Sequence, residues 1–255
     1  MRTRFRKTGC FLPVFLLLVA TMTAAQERTP TTTARSLTVG FVLSGGGARG
    51  IAHIGVLRWC EEHRVPVDYI SGTSMGGLIG GLYATGMKPD EMLNFFKGID
   101  WKEVFDVGPS FNQLTYRRRE DRRSFQTRFE FGLKDGLSLP NGLGSAHYIG
   151  LLIDRMTLPY STLGSFDELP IPFRCMATDF LKAESVELRD GALGSALRAT
   201  MAIPGVFPPV EREGRILVDG GLLNNIPTNV MRAELKPDVV IAVDNGTQLG
   251  DARTI

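Results

Sequence analysis

Three glycine-flanked turns carry the residues able to do chemistry. The run Gly72, Thr73, Ser74, Met75, Gly76 is a G-x-S-x-G pentapeptide. Set where a strand turns into a helix, such a pentapeptide forces its serine onto a strained turn. The hydroxyl then stands clear of the sheet, and the two glycines remove side chains that would clash. The helix beginning beside it favours negative charge at that point. Taken alone, the pentapeptide also fits a glycine-rich packing turn with an idle serine.

The second turn, SGGGARG from Ser44 to Gly50, follows an apolar strand and opens a helix. Its backbone amides can therefore converge on an anion. Gly45, Gly47 and Gly50 fit the G-x-G-x-x-G spacing of a dinucleotide site, which wants an acid at the end of the next strand to bond ribose. Asp68 stands at the beginning of that strand, and Ser71 and Gly72 occupy its end. The other use is an oxyanion loop, with the amides of Gly46 and Gly47 as preferred donors to a tetrahedral intermediate. One such donor is typically worth about 100- to 1000-fold in rate. Gly45 completes the loop, and Arg49 braces it or meets a phosphate.

A serine nucleophile needs a base. The histidines are His53, His63 and His147. The first two fall within or at the end of a helix, where structural or surface roles are expected, and His147 follows the irregular middle of the chain. The third turn, in ILVDGGLLNN, offers Asp219 at a strand end, with Gly220 and Gly221 letting the backbone turn tightly. An aspartate touching the serine can take its proton. A DGG turn is commonly structural, so His147 stays open as the alternative base.

These turns need a scaffold. Thr38 to Leu43 is a short apolar run ending in glycines and reads as a buried strand. Ile51, Ile54, Gly55, Val56, Leu57 and Trp59 are expected to pack the early turns of a helix, Glu61 to Arg64 mark its solvated end, and Pro66 stops it. Val67 to Ile70 reads as the next strand and Met75 to Ala84 as a small, apolar, buried helix. Two strand, turn, helix units in succession predict an α/β fold of three layers, α/β/α, with a mainly parallel central sheet. Pro89 to Lys97 and Ala146 to Met156 continue the helical spacing. Phe173 to Thr178, Ser185 to Leu188, Ile216 to Val218 and Val239 to Val243 read as strands. Asp100 to Gly144 is irregular and reads as an insertion near the site. Its charge run, Arg117 to Arg123, is a solvated face or a rim for anionic head groups.

The composition, 43% hydrophobic and 22% charged over 255 residues, suits one domain with a sizeable core. The ends differ from it. Arg2, Arg4, Arg6 and Lys7 precede the uncharged run Phe11 to Ala20, which is too short to span a bilayer comfortably. With small residues up to Ala25, residues 1–25 read as a secretory signal, an uncleaved anchor being the alternative. Residues 26–36 read as a flexible linker, and the folded domain is expected over 37–250. The expected location is therefore outside the cytoplasm, in the periplasm, at the outer membrane or beyond the cell. Loss of residues 1–25 removes four of the 29 Lys and Arg residues and none of the 27 acids, leaving a net charge near −2. With no basic stripe interleaved with aromatics, a nucleic-acid partner is not expected. Cys10 leaves with the signal. Cys60 and Cys175 are too few for a zinc or disulfide framework and read as buried thiols, a bridge between them in an oxidising compartment being the alternative.

Together, SGGGARG, GTSMG and DGG, in this order and at these separations, resemble the patatin-like phospholipase family. ATMAIPGVFPP, Ala199 to Pro209, looks like that family's further block ahead of the aspartate, and the resemblance covers Leu37 to Asn245. It implies a serine and aspartate dyad acting on lipid acyl esters through an acyl-enzyme, with no metal or cofactor for the chemistry. Ser74 would be the nucleophile and Asp219 the base. Gly45, Gly46, Gly47 and Arg49 would form the oxyanion loop, and Gly72, Gly76, Gly220 and Gly221 the supporting turns. The expected partner is a phospholipid or other acyl-ester lipid, with a membrane surface as its source. The chain resembles exported bacterial patatin-like proteins, some of which continue into a membrane barrel; a free exported hydrolase and the front portion of something longer are both open, the abrupt polar ending at Ile255 favouring the second. Esterase, thioesterase or acyltransferase activity at the same site, or a non-catalytic phosphate- or lipid-binding module, are the alternatives.

Overall fold

The computed structural model describes residues 36–99, 115–117, 119–120 and 146–246, with the side chains of residues 146–148 left aside. The expected signal of residues 1–25, the expected linker up to residue 35, and most of the expected 100–144 insertion lie outside the described residues. In the run Arg117 to Arg123, Arg117 is exposed and Arg119 and Glu120 are half-buried, the others lying outside.

Strand β1 (Val39–Leu43) is apolar and wholly buried. A tight helical turn, Gly47–Ile51, leads into α1 (Ala52–Glu62). Strand β2 (Tyr69–Thr73) and helix α2 (Met75–Ala84) form the second unit, followed by α3 (Pro89–Gly98). After the insertion come α4 (Ala146–Thr157), β3 (Phe173–Asp179), β4 (Glu184–Leu188) and α5 (Leu193–Thr200). Strands β5 (Val210–Arg212), β6 (Arg215–Asp219) and β7 (Val239–Val243) complete the set.

Among the described residues these strands make one mixed sheet. Its centre is parallel, β7, β1, β2 and β3 running side by side. Strands β4, β6 and β5 add antiparallel pairings. Alternation along β1 separates the two faces. Phe41 and Val39 pack with Cys60 of α1, whereas a side chain at Gly40 would strike Met231 on the opposite side. Helices α1 and α2 thus cover one face. The short helical stretch through Thr228–Val230 and Met231–Leu235 covers the other, giving three layers of α/β/α.

Two expectations need correction. Strand β2 starts at Tyr69 rather than Val67, because Asp68 is held at the strand entrance: its carboxylate accepts from the Val39 amide at 2.7 Å. The strand runs on through small residues to Thr73, since Gly72 must let α2 approach. Gly55 is exposed, and Trp59 does not pack the core. It is 53% exposed and stacks on His63 at 4.1 Å between ring centroids. Cys60 and Cys175 are buried free thiols.

Candidate active site

The register of one strand brings Ser74 to Asp219. Along β3, Ile70 to Thr73 of β2 pair in parallel with Phe173 to Met176, and Asp219 to Leu217 of β6 pair antiparallel with Ala177 to Asp179. Strand β4 pairs with Cys175 to Asp179 throughout, so it takes the other edge. Strands β2 and β6 therefore lie end to end along a single edge of β3, with their C-termini facing at Met176 and Ala177. The residue after β2 is Ser74 and the last of β6 is Asp219. The Ser74 hydroxyl donates to Asp219 Oδ2 at 2.5 Å, the short distance expected for a hydroxyl on a carboxylate.

The turn at Ser74 is strained, with φ 52° and ψ −125°. Such backbone costs of order 1–3 kcal/mol and persists only where the surroundings enforce it. Here the enforcement is close packing on glycine. A side chain at Gly76 would run into the carbonyls of Leu43 and Ser44, and one at Gly72 would lie 2.6 Å from the Gly76 carbonyl. One hydroxyl adds a fixed point. Thr200, fully buried at the end of α5, accepts from the Ser74 amide at 2.9 Å and donates to the Met176 carbonyl at 2.5 Å.

The glycine loop leaves β1 beside this turn. A side chain at Gly45 would touch Ser74 Cβ at 3.1 Å. Asn225 clamps Gly45 from both sides: its carbonyl accepts from the Gly45 amide at 3.3 Å, and its side-chain amide donates to the Gly45 carbonyl at 3.4 Å. The Gly45 amide is thus engaged within the protein. Gly46 is half-buried, and Gly47, at φ 56°, is exposed with Arg49 on the turn that opens α1.

Asp219 is held as firmly as the serine. Its amide donates to the Ala202 carbonyl at 2.9 Å, and its Oδ1 accepts from the Gly221 amide at 2.7 Å. Gly220 is required because a side chain there would strike the Met176 carbonyl. Burial pushes the carboxyl above its ordinary value, and the bonds from Ser74 and Gly221 oppose that rise. Both residues are 6% exposed, so the pair sits just beneath the surface. Leu222 and Leu223, next along the chain, are more than half exposed.

The histidines are elsewhere. His53 is buried against the Ser44 carbonyl and His63 bonds the Trp59 carbonyl, so neither meets Ser74. His147 lies in the first turn of α4, its side chain outside the described residues. Thr200, Asn225 and Asn245 went unassigned from sequence. Thr200 and Asn225 sit inside the motif blocks noted there, but hydrogen bonds between distant segments leave no local signal. Among the described residues no three His, Cys, Asp or Glu side chains converge on a metal position. A cavity of about 560 Å³ lies among α4, α5 and Phe207 to Glu211, with neither Ser74 nor Asp219 in its wall.

Fold and turn geometry together put the chain among α/β proteins with a strained strand-to-helix turn at the serine of a G-x-S-x-G pentapeptide. It belongs to the patatin-like phospholipase family, whose model matches residues 41–232. A patatin-like phospholipase domain-containing protein of Caenorhabditis elegans is 36% identical over 219 residues, covering 82% of this chain and 14% of its own length. An uncharacterised NTE family protein of Mycobacterium bovis is 35% identical over 217 residues, covering 84% of this chain and 51% of its own. The lysophospholipase nte1 of Neurospora crassa is 31% identical over 209 residues, with 82% and 12% covered. This chain thus spans about half, or much less, of the length of these relatives. Among solved structures, VipD from Legionella pneumophila has the same fold, with TM-score 0.53 at 16% identity over 86% of this chain and 52% of that one.

Proposed function

We propose that the chain is a lipid acyl hydrolase of the phospholipase A or lysophospholipase type, working through a Ser74–Asp219 dyad and an acyl-enzyme. The observation that carries this is the 2.5 Å bond from the Ser74 hydroxyl to Asp219 Oδ2 at a strained strand-to-helix turn beside a glycine loop. Asp219 Oδ2 takes the proton as Ser74 Oγ bonds to the acyl carbon. The Gly46 and Gly47 amides are the donors assigned to the resulting oxyanion, Gly45 being engaged with Asn225. Collapse breaks the ester bond, and the proton passes from Asp219 to the leaving alcohol. Water then attacks the acyl-enzyme, Asp219 again accepts a proton, and the fatty acid leaves as the serine regains its hydrogen.

Burial favours this assignment of the base. A carboxylate lifted above its ordinary pKa is a better proton acceptor, while the Gly221 amide holds its other oxygen in place. A lipid substrate is favoured by family membership, by the lysophospholipase among the relatives, and by the exposed Leu222 and Leu223 beside the dyad. A membrane surface is the corresponding source of substrate, and the composition of residues 1–25 supports export. Esterase, thioesterase and acyltransferase activities would use the same groups and differ in the acyl acceptor and leaving group.

The test is covalent. A fluorophosphonate carrying a long alkyl chain should label Ser74, as located by peptide mass spectrometry, and Asp219→Asn should slow labelling by at least about 100-fold. Labelling elsewhere, or none, would refute the assignment.

A further inference from the structure

The mechanism above makes no use of His53, which among the described residues is the one histidine buried beside the glycine loop. His53 is wholly buried in the first turn of α1. Its Nε2 lies 2.8 Å from the Ser44 carbonyl and 3.0 Å from the Asn245 side-chain amide, and Nδ1 is buried without a partner. Burial holds its pKa below the ordinary value, although Asp244 and the Ser44 bond pull the other way. The ring is therefore neutral near pH 7 and carries a single N–H.

Resting on the hydrolase reading, we propose that His53 is a positioning residue: as the Nε2–H tautomer it donates to the Ser44 carbonyl and so aims the oxyanion amides of Gly46 and Gly47. The tautomer follows from the contacts. A lone pair on Nε2 would face the carbonyl oxygen of Ser44 at 2.8 Å, acceptor against acceptor. A proton there bonds that oxygen, and the Asn245 amide can turn its own oxygen to the same N–H.

Peptide geometry carries the effect outward. The Ser44–Gly45 peptide is bonded at both ends, its carbonyl to His53 and its N–H to the Asn225 carbonyl. The next peptide has its carbonyl, that of Gly45, held by the Asn225 side chain. In a trans peptide N–H and C=O point in opposite directions, so the Gly46 N–H points away from Asn225. A third strut fixes Ser44 itself, whose hydroxyl accepts from the Asn245 backbone N–H at 2.8 Å. With Ser44 and Gly45 fixed, the direction of the following amides is preset before any substrate arrives, which makes electrostatic stabilisation effective.

Two variants of similar bulk separate donation from packing. His53→Gln places an amide N–H where Nε2 stands, and His53→Leu does not. With a soluble acyl ester, His53→Leu should lower kcat by about 10- to 100-fold and leave KM within about twofold, because misaimed donors weaken the transition state alone. Phosphonate labelling of Ser74 should slow by the same factor, and His53→Gln should recover most of both losses. Equal losses in the two variants, or none in His53→Leu, would overturn the proposal. Should His53→Leu fail to fold, nitrogen NMR of the parent decides: Nε2 protonated from pH 6 to 8 agrees, and Nδ1 protonated contradicts it. A parent that hydrolyses nothing and resists labelling would instead remove the hydrolase reading, while leaving the tautomer measurable.

Discussion

Thr200→Val replaces a hydroxyl by a methyl of nearly the same size and so isolates one pair of hydrogen bonds. The Thr200 hydroxyl accepts from the Ser74 amide and donates to the Met176 carbonyl, and all three residues are buried. The valine leaves the Ser74 N–H unpaired at a turn that is already strained. A buried, unsatisfied backbone donor costs about 1–3 kcal/mol. For a domain of this size each kcal/mol shifts the melting point by about 2–4 °C, so a fall of roughly 2–12 °C is expected. Thr200→Ser keeps the hydroxyl and loses the methyl packed towards Gly77, at about 1 kcal/mol. The informative assay is phosphonate labelling of Ser74 alongside thermal unfolding. Thr200→Val should label about 100-fold more slowly, since the elbow loses its anchor, and Thr200→Ser should stay within a few-fold of the parent. If valine matches the parent in both assays, or serine loses as much labelling as valine, the anchor role is refuted.

Further outcomes follow from the same contacts. Gly76→Ala should destabilise by about 3 kcal/mol or more in urea unfolding, because the added methyl meets the backbone carbonyls of Leu43 and Ser44, which cannot move aside. Comparing Ser74→Gly with Ser74→Ala, both inactive, the glycine variant should be more stable by about 1 kcal/mol, since only glycine adopts positive φ without strain. The raised pKa of Asp219 predicts two pH effects. In the proposed mechanism activity needs the ionised carboxylate, so the acid limb of the rate profile should lie above an ordinary aspartate's value near 3.8. Because the folded state holds that proton more tightly than the unfolded one, stability should fall as pH rises from the ordinary value through the raised one. Asp219→Asn should abolish that part of the slope.

The local part of this architecture was legible in the sequence. β1 and α2 have clean apolar runs bounded by glycines, and the three motif turns fall where strands end. Helix α5 has no clear signal in the sequence, because Gly191 stands just before it and Gly194 interrupts it. Gly194 is there because α4 crosses closely, a side chain at that point lying 2.7 Å from Asp154. The start of β2 was misjudged because Val65 and Val67 imitate strand residues, whereas the real strand needs Ser71 and Gly72 for close contacts. Trp59 fell on helical spacing yet faces outward, since α1 buries only the stripe through Ile54, Leu57 and Cys60. The meeting of β2 and β6 end to end on β3 is a matter of register between distant segments. So are the supports that Thr200, Asn225 and His53 supply, each joining residues far apart in the chain or acting through backbone atoms.

The most direct test is fatty-acid release from phospholipid vesicles by the parent, Ser74→Ala and Asp219→Asn, each checked for cooperative unfolding. The dyad mechanism predicts release by the parent and a loss of at least about 1000-fold in either variant, the double variant losing no more than the worse single one. Parent-like release by a folded Ser74→Ala or Asp219→Asn would contradict it.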